Sequence, residues 1–114
     1  MAKLMLSFLN MKPVNREEIK RDIVETLKPF GVLRISIFGS FARRDDTENS
    51  DIDILVLLPP IKNRQVIGLR WFTLDQELSI KLGRPVDLVS EDAVSPALRL
   101  MIEKDIEVIY EKAG

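Results

Sequence analysis

The 114-residue chain contains no cysteine and no histidine. Disulfides, thiolate metal sites, thiol nucleophiles and imidazole bases are therefore excluded. Any acid–base or metal chemistry falls to Asp, Glu, Lys, Tyr, Ser and backbone groups. An excess of charge of one sign is also missing: 17 basic residues face 18 acidic ones, a net charge of -1. Without an overall basic field to hold a phosphate backbone, direct nucleic-acid binding is disfavoured. No stretch approaches the ~20 apolar residues that span a bilayer. The N-terminal "MAKLMLSFLNMKP" is interrupted by Lys3, Asn10 and Lys12 and lacks a small-residue cleavage site, so it does not read as a signal peptide. These absences lead to the expectation of a soluble cytoplasmic protein without a membrane role, and the lack of cysteine is compatible with a reducing cytosol.

What is present is an ordinary globular balance, 46% apolar and 31% charged. The length suits one domain, 1–114, with residues 1–14 as an N-terminal extension. "VNREEIKRDIVETLKPFG" reads as a helix capped by Asn15, with Glu18 three residues on and an apolar stripe at Ile19, Ile23 and Leu27. "LRISIF" is a strand ended by Gly39-Ser40, "FARRDD" a short helical turn, and "DIDILVLL" a second strand ended by Pro59-Pro60. "NRQVIGLRWFTLDQELSIKLG" is the longest predicted helix, with Ile67, Trp71, Leu74 and Leu78 on one face and Gly83 as its stop. "PVDLVS" is a short strand, "SPALRLMIEKD" a helix capped by Ser95 with Pro96 at its first position, and "IEVIYE" a last strand. The pattern predicts an α/β domain: a mixed β-sheet of about four strands flanked by helices. The link between the first two strands is too short for a parallel crossover, so at least one pair is expected to be antiparallel.

One stretch departs from the rest. "FGSFARRDDTENSDIDILV" places Asp51 and Asp53 one residue apart at the start of an apolar strand. Side chains alternate along a strand, so the two carboxylates share a face, ~7 Å apart, while Ile52, Ile54 and Val56 point the other way. Bare, the pair would repel; a divalent cation relieves that. Read by itself, Asp-x-Asp is also consistent with a turn cap and a solvent-facing edge residue. Gly39-Ser40 closes the preceding strand, where glycine permits close backbone approach and a helix start offers N–H groups to phosphate. Asp87 interrupts the apolar "RPVDLVS"; if that strand lies beside the second one, three carboxylates converge. Together these residues suit metal-dependent nucleotidyl transfer. Asp51 and Asp53 would hold two Mg²⁺ ions, Asp87 would complete one metal site and accept the nucleophile's proton, and Gly39 and Ser40 would grip a triphosphate.

"GSFARRDDTENSDIDILV" resembles the signature of the minimal nucleotidyltransferase (MNT) domain of the DNA polymerase β-like superfamily: Gly-Ser, ten residues, Asp-x-Asp, then an acidic residue on a neighbouring strand. Gly39-Ser40, Phe41 to Ser50, Asp51-Ile52-Asp53 and Asp87 fit, as do Ala42, Arg43 and Ser50. Many members carry glycine after that arginine, where this chain has Arg44. The resemblance covers roughly Asn15 to Tyr110. It implies ATP as nucleotide donor and Mg²⁺ as cofactor. Small stand-alone members resemble antitoxins of HEPN/MNT toxin–antitoxin pairs, in which the MNT protein AMPylates a tyrosine of its HEPN ribonuclease partner. The resemblance thus implies an adenylyltransferase antitoxin. A non-catalytic antitoxin acting by occlusion, and the catalytic half of a two-chain transferase for a small molecule, stay open.

The basic residues near the motif carry two readings each. Arg43 reaches a phosphate or pins the loop, while Arg43-Arg44-Asp45-Asp46 reads most simply as a solvated mixed-charge turn. Lys81 and Arg84 read as capping the end of the long helix rather than as triphosphate ligands. Trp71 joins the apolar stripe, and Phe72 with Leu69 either widens it or forms a patch for a partner or a second copy of the chain. Tyr110 ends a strand and is not read as catalytic.

Overall fold

The computed structural model describes residues 15–60 and 70–113. The predicted extension 1–14, the first part of the longest helix, Ile67 and Leu69 lie outside the described residues. The chain runs α1 (Arg16–Leu27), a 3-10 turn (Lys28–Phe30), β1 (Arg34–Phe38), α2 (Gly39–Arg43), β2 (Ile52–Leu57), α3 (Trp71–Leu82) and β3 (Val86–Ser90). A second 3-10 turn (Glu91–Ala93), α4 (Pro96–Ile102) and β4 (Glu107–Glu111) complete it. The helices start where their caps say they should. The Asn15 side chain accepts from the N–H groups of Glu17 and Glu18, and the Ser95 hydroxyl from that of Leu98.

The four strands form one mixed sheet in the order β3-β2-β1-β4. β1 lies antiparallel to both β2 and β4, and β2 runs parallel to β3. The short α2 connection accounts for the antiparallel β1–β2 pair, and the longer stretch containing α3 permits the parallel crossover. The register aligns Phe38 with Asp53 and Asp53 with Asp87 in one row, and Ile37 with Ile54 and Ile54 with Leu88 in the next.

Alternation then divides the sheet into two unlike faces. Ile35, Ile37, Ile52, Ile54 and Val56 meet Ile19, Ile23 and Leu27 of α1 and Leu74 and Leu78 of α3. Several of these are fully buried, and each such side chain contributes about 1.5–3 kcal/mol. The other face buries only a small cluster, in which Phe38 and Leu55 pack against Ile102 of α4, with Val89, Val94 and Ile106 around them. Arg34 holds the second 3-10 turn onto this face through an ion pair to Glu91 at 2.9 Å. Phe72 proves to be exposed rather than part of the core: it stands one helical step, about 100°, from Trp71, which does pack inward.

Candidate active site

The Asp53–Asp87 row lies on the thinly covered face, at the end where β1 stops and β2 and β3 begin. Asp53 is the second residue of β2, and Asp87 the second of β3; the parallel register makes them direct cross-strand neighbours. Asp51 does not belong to the strand. It is exposed and precedes Ile52, so the pair begins in a loop and ends in the sheet. Its charge nonetheless acts on Asp53. Burial pushes the Asp53 carboxyl up to about 6, and the negative charges of Asp87 and then Asp51 push the same way, against a smaller pull from Arg43.

Gly39 opens α2 with φ +70, a conformation that side chains rarely adopt. It must be glycine for a second reason. A Cβ at this position would run into Oδ2 of Asp53 and stand 3.2 Å from its Cγ. The Gly39 backbone and the Asp53 carboxylate are thus packed directly together, which joins the two halves of the motif. Ser40 is half-buried beside it, and its carbonyl accepts the N–H of Asp45 at 3.1 Å. Arg43 donates to Asp45 and to Asp105, both at 3.1 Å, and so ties α2 to the loop before β4. Arg44 closes α2 in the left-handed region at φ 66, making the turn that glycine would make more easily.

Two readings of the charged residues are corrected. Asp46 is not part of a solvated turn: its side chain is 5% exposed and is held between Arg16 and Arg84. Arg84 does not cap a helix. It is 4% exposed and donates from Nε and a terminal nitrogen to the Ser50 carbonyl at 3.2 and 2.9 Å. Lys81 does stand in the last turn of α3, and it also bridges the two covering helices, donating to Thr26 at 3.0 Å. No signal in the sequence joins Arg16, Asp46 and Arg84, because each lies in a different local segment.

Carboxylate oxygens are the hard donors that Mg²⁺ prefers. Among the described residues no three acidic side chains form a ready-made cation cage. The expected convergence of three carboxylates is therefore met only in part: Asp53 and Asp87 pair across the strands, while Asp51 stands in the exposed loop before β2. Mg²⁺ is commonly held by one or two carboxylates, with water and substrate phosphate completing the shell. Uncompensated negative charge at Asp53, with Asp87 beside it and Asp51 nearby, gives a donor set that fits such an ion.

The model of the polymerase beta, nucleotidyltransferase family matches residues 21–113, and the chain belongs to this family of nucleotidyltransferases. A Methanocaldococcus jannaschii protein described as a candidate protein adenylyltransferase is 42% identical over 86 residues, 75% of this chain and 88% of its own length. The protein adenylyltransferase MntA of Thermococcus cleftensis is 34% identical over 86 residues, 75% of this chain and 81% of its own. Among solved structures, a chain of a toxin–antitoxin crystal structure with AMP-PNP is 26% identical with a TM-score of 0.65, covering 82% of this chain and 73% of that one. A chain from the complex of a tri-AMPylated Shewanella oneidensis HEPN toxin with its MNT antitoxin shares the fold at 22% identity and a TM-score of 0.62, over 86% and 74% of the two chains. No helix of the described residues is long and apolar enough to cross a membrane.

Proposed function

We propose that this nucleotidyltransferase is a Mg²⁺-dependent protein adenylyltransferase and the antitoxin of a HEPN-type ribonuclease toxin, moving AMP from ATP to a tyrosine of that toxin. The observation that carries the reading is the direct pairing of Asp53 with Asp87 against the Gly39 turn. Similarity to adenylyltransferases and to toxin–antitoxin structures supports the choice of donor and partner.

Asp51, Asp53 and Asp87 would hold the metal, and Gly39, Ser40 and Arg43 the triphosphate. A bound divalent cation supplies charge neutralisation at the phosphates and lowers the cost of the leaving pyrophosphate. The acceptor hydroxyl bonds to the α-phosphorus, the bond to pyrophosphate breaks, and Asp87, exposed and reachable, takes the hydroxyl proton. Gly39, lacking a side chain, lets the Asp53 carboxylate pack directly against the backbone of the turn that would meet the triphosphate. Dependence on ATP is in keeping with a cytoplasmic setting.

Incubation of the protein with labelled ATP, Mg²⁺ and its HEPN-type partner should label the partner on tyrosine. The Asp51→Asn/Asp53→Asn variant should transfer nothing and lose neutralisation. A second reading, neutralisation by occlusion, is favoured by one observation: α4 exposes Leu100 and Met101, 71% and 73%, on the sheet face that bears Asp53. Unlabelled toxin, still silenced by the double variant, would select occlusion and reject transfer.

A further inference from the structure

One buried charge cluster touches every segment that carries a proposed site residue. Its centre is Asp46, in the loop between α2 and β2. Arg16 at the start of α1 pairs with one carboxylate oxygen, and Arg84 with the other at 2.9 Å. Both guanidinium groups also stack on the buried Phe41 ring of α2, at 4.6 and 5.5 Å from its centre. Arg16 donates to the Phe41 carbonyl at 2.6 Å, so α2, which carries Gly39 and Ser40, is held through both the ring and the backbone of Phe41.

Arg84 does more than neutralise Asp46. Two of its nitrogens converge on the carbonyl of Ser50, the residue immediately before Asp51. One position later Ile52 donates to the Pro85 carbonyl at 2.9 Å, and one further on Asp53 faces Asp87. The start of β3 is thus stapled to the start of β2, and Arg84 is the staple on the side where Asp51 leaves the sheet. Its own origin is fixed as well: Gly83 ends α3 with φ 69, and Pro85 holds the residue before it extended. Asp51 is exposed and lies outside the strand ladder, so repulsion from Asp53 and Asp87 would favour its swinging away.

We propose that Arg84, supported by Asp46, is a positioning residue: by holding the Ser50–Asp51 peptide it sets where the Asp51 carboxylate stands beside Asp53 and Asp87. The inference rests on the reading that these carboxylates hold a divalent cation. Removing Arg84 alone would leave the buried Asp46 carboxylate with Arg16 as its remaining ion-pair partner and endanger the fold. The decisive variant is therefore Arg84→Met/Asp46→Leu, which replaces the buried pair by apolar groups, a change that folds often tolerate. Arg16 is partly exposed and keeps access to water. Arg84→Lys is the companion: it keeps the charge but offers a point donor in place of the fork.

The measurement is Mn²⁺ affinity by calorimetry, with and without AMP-PNP, beside a thermal melt of each protein. Folded variants should bind Mn²⁺ about 10–100-fold more weakly than the parent, the usual effect of losing a group that orients metal ligands. A folded variant of either kind with the parent's Mn²⁺ affinity overturns the positioning role. So does a loss of affinity that merely follows the loss of melting temperature across the set. Parent protein that binds no Mn²⁺ overturns the metal reading itself, which distinguishes that failure from failure of the Arg84 inference.

Discussion

Replacing Gly39 by alanine tests how the two halves of the motif are joined. The substitution carries two separable costs. Holding an alanine at φ +70 costs about 1–2 kcal/mol. Its Cβ must also displace the Asp53 carboxylate, whose Oδ2 occupies the same space; overpacking of this kind costs about 1–3 kcal/mol. Gly39→Ala should therefore destabilise by roughly 2–5 kcal/mol. In an Asp53→Ala background the obstructing oxygen is gone and only the backbone cost remains. Denaturant unfolding of the four proteins, at pH 7 without divalent cation, closes a double-mutant cycle whose coupling should be about 1–3 kcal/mol. The charge repulsion that Asp53→Ala relieves cancels from the cycle. Equal costs of Gly39→Ala in both backgrounds would refute the packing of that carboxylate against the glycine. In the otherwise intact protein, Gly39→Ala should also abolish labelling of the partner although every acidic residue is present.

Three other outcomes follow from individual residues. Asp53 titrates near 6 in the folded chain, above the unfolded value of about 3.9. Its contribution to stability is therefore complete below about pH 4 and lost as pH rises through 6. Metal-free Asp53→Asn should be more stable than the parent at pH 7, by on the order of 1 kcal/mol once solvent screening is discounted, and no more stable at pH 4; a destabilised variant at pH 7 contradicts this. Arg44→Gly relieves the left-handed backbone at φ 66 and should raise stability by roughly 0.5–1 kcal/mol, visible as a higher thermal midpoint. Asp46 behaves oppositely to Asp53: burial works to raise its pKa, but hydrogen bonds from Arg16 and Arg84 outweigh it and the net shift is downward. Its stabilisation is present above the unfolded value of about 3.9 and disappears as pH falls through the lower folded value, so the gap between the parent and Asp46→Asn should be widest at neutral pH and close in acid.

The contrast between those two aspartates also explains what could be read from the chain and what could not. The strands were legible because apolar residues alternate or cluster between Gly, Pro and Asn signals, and the helices because Asn15, Ser95 and Gly83 mark their ends. The meeting of Asp53 with Asp87 was legible conditionally: parity fixed the face, and the parallel pairing of β2 with β3 brought the two residues opposite one another. The Arg16–Asp46–Arg84 cluster had no such rule behind it. Its members are separated by 30 residues and more, and each looks locally like a solvated charge. Sequence pattern assigns a side chain to a face; whether a charge on that face is satisfied depends on which other segments arrive there. Asp46 meets two guanidinium groups and becomes part of the frame. Asp53 meets two carboxylates and little positive charge, and its pKa is raised first by burial and then by those two neighbouring charges. In an ordinary core such a group would be a defect. On the proposed metal reading the same deficit of positive charge would favour a bound cation, and the Arg16–Asp46–Arg84 frame would hold the acidic residues near one another at the expense of stability in the metal-free protein.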